Sequence, residues 1–147
     1  MAFLFTPMVG FHFMVVFELF PQQPDDICFQ EVGGLSVDLE MEAVKEGGQN
    51  RFTWQLPVRT KYEDITLKRG LIPLSGVSLW CKDALENFDF KPCNILISLM
   101  NESHLPLKNW YVINAIPKKW SVSNLNSTEN AIAVESLVLS YQYFMVI

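Results

Sequence analysis

No Lys or Arg occurs before Lys45, although seven carboxylates do: Glu18, Asp25, Asp26, Glu31, Asp38, Glu40 and Glu42. The remainder of the 147-residue chain holds 11 basic against 9 acidic residues, and the net charge is −5. An acidic chain of this kind lacks the basic footprint of a non-specific nucleic-acid binder. The uneven charge fits two readings. Both regions are solvated faces of one domain, or the acidic region of one subunit meets the basic region of the next, as head-to-tail packing requires.

Cysteine and histidine are scarce. Cys28, Cys81 and Cys93 are odd in number and widely spaced, which argues against a disulfide framework and for buried thiols in a reducing cytosol. His12 and His104 stand far apart, neither in a paired metal-ligand spacing; a folded site from Cys28, Cys81, Cys93 and His104 is outweighed by buried thiols and a turn histidine. There is no Gly-rich phosphate cradle, Walker lysine or nucleophile elbow, so nucleotide and acyl-transfer chemistry have no support. The adjacent acids Asp25–Asp26 and Glu63–Asp64 read as solvated turn residues rather than an acid–base pair in a cleft. Tyr141, Tyr143 and Phe144 lack the interleaved basic residues of a base-stacking surface and read as core or subunit contact. No catalytic residue, cofactor or metal ligand is expected, and the chain does not read as an enzyme. The apolar stretch Met1 to Phe20 lacks a basic n-region and a cleavage segment, and Pro7, His12 and Glu18 interrupt it. It reads as mature structure, short of the ~20 apolar residues a membrane helix needs.

Hydrophobic residues, in contrast, are abundant: 50% of the chain, with 13% aromatic. That suffices for one packed domain over residues 1–147, with apolar surface left for partners. Phe11, Phe13, Val15 and Phe17 alternate with His12, Met14, Val16 and Glu18, the period of a half-buried strand. Pro21, Pro24, Asp25 and Asp26 then predict a turn, after which Phe29, Val32, Leu35, Val37, Leu39 and Met41 predict a second strand bent at Gly33–Gly34. The polar segment from Val44 to Arg51 predicts an exposed loop. Phe52, Trp54 and Leu56 form a strand before Pro57, and Ile65 to Arg69 another before Gly70. Val77, Trp80, Cys81, Ala84, Leu85 and Phe88 recur at helical spacing, predicting one helix near Ser75 to Phe88 with Ser75 as its cap. Further strands are expected at Asn94 to Met100, Asn109 to Ala115 and Ala131 to Tyr141. Many strands and one helix give a mainly β fold, an antiparallel β-barrel filled by its own side chains with the helix over an open end or edge.

The run FQEVGGLSVDLEMEAVKEGGQNRF (Phe29 to Phe52), LPVRTKY (Leu56 to Tyr62), LKRG (Leu67 to Gly70), SLMNESHLPLKNW (Ser98 to Trp110), NAIPKKWSVSNLN (Asn114 to Asn126) and VESLVLSY (Val134 to Tyr141) resembles, in order and over nearly the whole chain, the tail-tube family of contractile phages and phage-tail-like injection systems. The resemblance implies a tail-tube β-barrel with a flanking helix, assembled as a homo-hexamer whose rings stack into an inner tube. Its partners would be neighbouring rings, a baseplate hub or spike and the surrounding sheath, with assembly in the cytoplasm before incorporation into a tail or particle. Residues matching the family's inter-ring loop run from Glu42 to Arg51. Glu42, Lys45, Glu46 and Arg51 are the expected stacking residues; Arg59, Lys61, Lys68 and Arg69 are expected charge partners across subunits or within the barrel. The segments PQQPDD (Pro21 to Asp26) and ENFDFKP (Glu86 to Pro92) look more like the tube-initiating paralogue than the bulk tube subunit. The competing readings are the bulk subunit itself, a type VI secretion tube protein, and, from another class, a ligand-binding barrel with a lined cavity.

Overall fold

The computed structural model describes residues 12–22, 26–45, 47–48, 53–72, 75–125, 127–128 and 133–147. The elements are β1 (His12–Phe17), β2 (Cys28–Phe29), β3 (Glu31–Gly33), β4 (Val37–Val44), β5 (Trp54–Tyr62), β6 (Ile65–Gly70), α1 (Gly76–Asn87), β7 (Cys93–Met100), β8 (Pro106–Val122), β9 (Val134–Ser140) and β10 (Tyr143–Val146). Strand pairing runs β2-β1-β7-β8-β9-β6-β3, all antiparallel, with β10 also on β8. The two ends of this path, β2 and β3, are separated in the chain only by Gln30, whose N–H donates to the Lys68 carbonyl at 2.9 Å. One short segment therefore pairs with β1 at its start and β6 at its end, and the sheet returns on itself. Closure removes the sheet edge that an open antiparallel sheet would expose.

The interior is filled, as alternation predicts. Val15 and Phe17 of β1, Ile65 and Leu67 of β6, Ile95 and Ile97 of β7, Val112 and Ala115 of β8, and Leu137 and Leu139 of β9 are buried in one cluster. Helix α1 lies against it through Val77, Trp80, Cys81 and Ala84. The Trp80 ring meets Phe17 edge-on at 5.5 Å, and its indole N–H donates to the Lys91 carbonyl at 2.8 Å. Ser75 is the N-cap, its hydroxyl accepting the Ser78 N–H at 3.2 Å. Leu85 and Phe88 depart from the expected buried stripe. Phe88 is the C-cap in the left-handed region (φ 54), which turns it off the sheet; it is 83% exposed and packs on the Phe90 ring.

Several boundaries also move. The second predicted strand is three pieces, interrupted at Gln30 and again after Gly33, where Gly34 (φ 85) sits so close to the Asp64 carbonyl that a Cβ would collide with it. Pro57 does not end its strand: β5 runs through it, at a β-bulge opposite Glu40 and Met41, one of the few sheet positions where a missing N–H is tolerated. Likewise β8 continues past Ala115 for 17 residues in all, with Pro117 at a second bulge and Asn114 (φ 52) at a bend. β10 continues the β9 ladder along β8 beyond Tyr141–Gln142. Phe11, Pro24, Asp25 and Phe52 lie outside the described residues.

Asp26 is not the solvated turn acid its sequence context suggests. It is 3% exposed and forms an ion pair with Arg69, 2% exposed, at 2.6 Å. The same Arg69 donates to the Asp26 carbonyl (2.8 Å), to the Ser75 hydroxyl (2.7 Å) and to Glu135 (3.4 Å). Its guanidinium lies 4.8 Å from the Phe29 ring centroid. Asp26 also accepts from the Ser75 hydroxyl and, at 2.9 Å, from the Gly76 N–H at the helix start, so a carboxylate from outside the helix complements its N-terminal dipole. Glu135 further accepts from Trp120 (3.2 Å). Removing one partner of a buried pair strands the other charge, at about 3–5 kcal/mol. Asp26→Ala is therefore expected to lower the urea-denaturation stability by about that amount. Lys118→Ala, which breaks the exposed Lys118–Asp64 pair, should cost at most about 1 kcal/mol; equal losses from the two variants would refute the assignment.

Candidate functional site

Outside the closed barrel, β4 and β5 form a two-stranded sheet of their own. Eight residues of β4 span about 26 Å at ~3.3 Å each. Cross-strand partners share a face, so the register sorts the side chains. One face carries Val37, Leu39, Met41 and Ala43 beside Tyr62, Thr60, Pro57 and Gln55. The other carries Asp38–Lys61 and Glu40–Arg59 near the barrel, then Glu42, Val44, Leu56 and Trp54 toward the tip. Val37, Leu39, Met41, Val44, Trp54, Leu56 and Val58 are each between 37% and 51% exposed. The alternation that predicted a buried face in β4 is real, yet among the described residues nothing buries either face of the ribbon.

The structure gathers Glu42, Lys45, Arg59 and Lys61 onto this ribbon, all exposed. Arg59 reaches Glu40 at 3.0 Å. Lys45 follows the end of β4 at the approach to the tip turn, where Gly48 adopts φ 91; Glu46 and Arg51 lie outside the described residues. Lys68 is on the barrel wall, 3.5 Å from Glu31. Arg69 leaves the set of surface contacts altogether, because its burial against Asp26 and Glu135 withholds it from any partner chain. The acidic N-terminal third and the basic residues of β5 and β6 thus meet within one chain at Asp26–Arg69, Glu31–Lys68 and Glu40–Arg59. The sequence reading does not single out the apolar ribbon residues as exposed. The signal available was Gly33–Gly34 on one side and Glu63–Asp64 on the other, which cut the hairpin from the barrel.

The thiols are poorly placed for chemistry. Burial, then the nearby Glu135 carboxylate, pushes the Cys81 thiol up to about 12, against a smaller opposing effect of Arg69. Burial likewise raises Cys93. Burial, followed by Tyr62, Asp64 and Glu63, pushes the Tyr141 phenol up to about 12, and its hydroxyl donates to the Glu63 carbonyl at 2.6 Å. At the surface the Tyr111 phenol is raised first by its hydrogen bond to Glu18. Among the described residues no cluster of three or more His, Cys, Asp or Glu is placed to hold a metal, and no helix is long and apolar enough to cross a membrane.

A family model described as T4-like virus tail tube protein gp19 matches residues 9–145. The chain belongs to that family. This tail-tube chain is similar, at 28% identity and TM-score 0.80, to a chain of the cryo-EM structure of the anti-feeding prophage (AFP) baseplate, 6-fold symmetrised, with 100% of this chain and 97% of that one covered. It is similar at 23% identity and TM-score 0.73 to a chain of the PVC sheath-tube complex of an extracellular contractile injection system in the extended state, covering 96% and 90%. A type six secretion system protein shares the fold at 8% identity and TM-score 0.66, covering 93% and 83%. No curated protein sequence matches the chain. The protein is thus a tail-tube-like component of contractile injection systems, with the antiparallel β-barrel and flanking helix of that family.

The thiol environment yields a pH prediction. Raised Cys81 and Tyr141 values mean that the folded state holds these protons more tightly than the unfolded chain does. Stability should be intact below the ordinary thiol range of about 8.5 and fall as pH rises toward about 12. Cys81→Ala should flatten that decline in denaturation midpoints measured from pH 8 to 11. In native protein at pH 8, alkylation of Cys81 should be much slower than that of an ordinary thiol, because little of it is thiolate and it is buried; rapid labelling of Cys81 would contradict its burial.

Proposed function

We propose that this chain is a non-catalytic subunit of the inner tube of a contractile injection system, that six copies close into a ring, and that it is the tube initiator seated between a baseplate hub or spike and the first tube ring. The observation that carries the reading is the β4–β5 ribbon, with apolar side chains half exposed on both faces. A two-stranded ribbon is at best marginally stable alone in water, and a contiguous apolar surface of this kind marks a protein contact. Ring closure by head-to-tail copies would cover it, since a heterologous contact that closes generates a ring. Placement at the baseplate draws on the higher identity to the AFP baseplate chain than to the PVC sheath-tube chain. Assembly in the cytoplasm, with rings or sheath as later partners, follows from the same reading.

The ligand-binding barrel loses support because side chains from all walls fill the barrel interior. In the tube reading Glu42 and Lys45 near the ribbon tip, with Glu46 and Arg51 of the same sequence segment, meet the next ring, and Arg59, Lys61 and Lys68 are further charge partners.

Negative-stain microscopy and mass photometry of purified protein test the proposal. Particles of six times the 16.9 kDa chain mass, ring-shaped and not stacked, are expected. Long tubes would favour the bulk subunit, and a persistent monomer in the presence of its baseplate partner would overturn ring formation. Leu39→Asp with Leu56→Asp should abolish rings while leaving the far-UV circular dichroism of the barrel unchanged. Lys45→Glu with Arg51→Glu should spare rings and weaken contact with the next ring at least tenfold; normal stacking by that folded variant would refute the stacking assignment.

A further inference from the structure

His12 and His104 stand 92 residues apart in sequence yet bring His12 Nε2 and His104 Nδ1 to 3.3 Å, with ring centroids 5.0 Å apart and planes inclined at 68°. His12 opens β1, opposite Met100 in the β1–β7 ladder, and is 5% exposed. His104 lies in the turn from β7 to β8 and is exposed. The turn is held in shape before His104 makes any side-chain contact. The Asn101 side-chain oxygen accepts the N–H groups of Ser103 (2.9 Å) and Leu105 (3.0 Å). The Asn101 carbonyl accepts from His104 N–H, and the Asn101 N–H donates to the Leu105 carbonyl, both at 3.0 Å. His104 itself adopts φ 59, a left-handed conformation uncommon for a side-chain-bearing residue.

We propose that this pair is a binding site for a divalent transition cation of the zinc class. Nitrogen ligands lie at about 2.0–2.1 Å from zinc, so two of them on a tetrahedral ion stand about 3.3–3.4 Å apart. The two facing nitrogens already have that separation. Without the ion, one ring donates an N–H to the other. Binding needs both lone pairs, and with the hydrogen between the rings carried by His104 it moves to that ring's own Nε2, a tautomer change with no redox step. Two protein ligands leave two positions for water or a carboxylate from the open side, so the site is half built from the barrel rim and half accessible. The hard cations magnesium and calcium, which take oxygen ligands, are not accepted. An ion here ties the start of β1 to the β7–β8 turn.

Tag-free protein titrated with zinc chloride by isothermal calorimetry, and heated with zinc or magnesium, tests the site. One zinc ion per chain and a zinc-dependent rise in melting temperature are expected, with no response to magnesium. His104→Asn keeps a residue type that tolerates φ near 59 and is expected to bind zinc at least tenfold more weakly while melting, metal-free, near the parent. His12→Gln should show the same loss of the zinc response. Absence of one-to-one binding by the parent, or unchanged affinity in His104→Asn, overturns the proposal; if His12→Gln fails to fold, the His104 variant alone decides.

Discussion

The guanidinium of Arg69 is where barrel closure and helix docking meet. It holds Asp26, the residue at the head of the short segment that carries β2 to β1 and β3 to β6, and it lies over Phe29 within that segment. Through Ser75 and Asp26 it also fixes the first turn of α1, and through Glu135 it reaches β9 and Trp120 of β8. Buried ion pairs are seldom better for net stability than apolar residues of the same volume. Their effect here is geometric: a charge with two carboxylates and a hydroxyl as partners accepts few alternative packings, and each alternative strands a charge in the core.

Strands of similar alternation are used in two ways. In β1, β6, β7 and β9 one face meets the common core, and burial of Val15, Ile65, Ile95 or Leu139 is complete. In β4 the same period places Val37, Leu39 and Met41 on one face, but the close approach of Gly34 to Asp64 ends the pairing with the barrel and sends the hairpin outward. Seven large apolar residues thus stay half exposed on one ribbon, the surface on which the proposed ring contact rests.

Charge followed a similar division. The acidic first third suggested either solvated faces or subunit contact, and much of it is answered internally at Arg69, Lys68 and Arg59. Lys45 and Glu42 stay exposed near the ribbon tip, the part of the chain with polar, glycine-bearing sequence. Local composition identifies such a tip because turns and exposed loops have strong residue requirements. It does not say which charges on neighbouring strands face each other, since that depends on register.

The mainly β class, the helix with its Ser75 cap and the strands β1, β6 and β7 were all determined by the sequence, because period, cap chemistry and turn residues are properties of neighbours along the chain. Quoted motifs carried the family as well. Only the tertiary structure decided that Asp26 and Arg69 are core partners, that His12 meets His104, that β8 passes through Pro117 and that β4 buries neither face. Each of these turns on which distant segments lie side by side. An Asp in a turn has the same local pattern whether water or a guanidinium from 43 residues away is its partner.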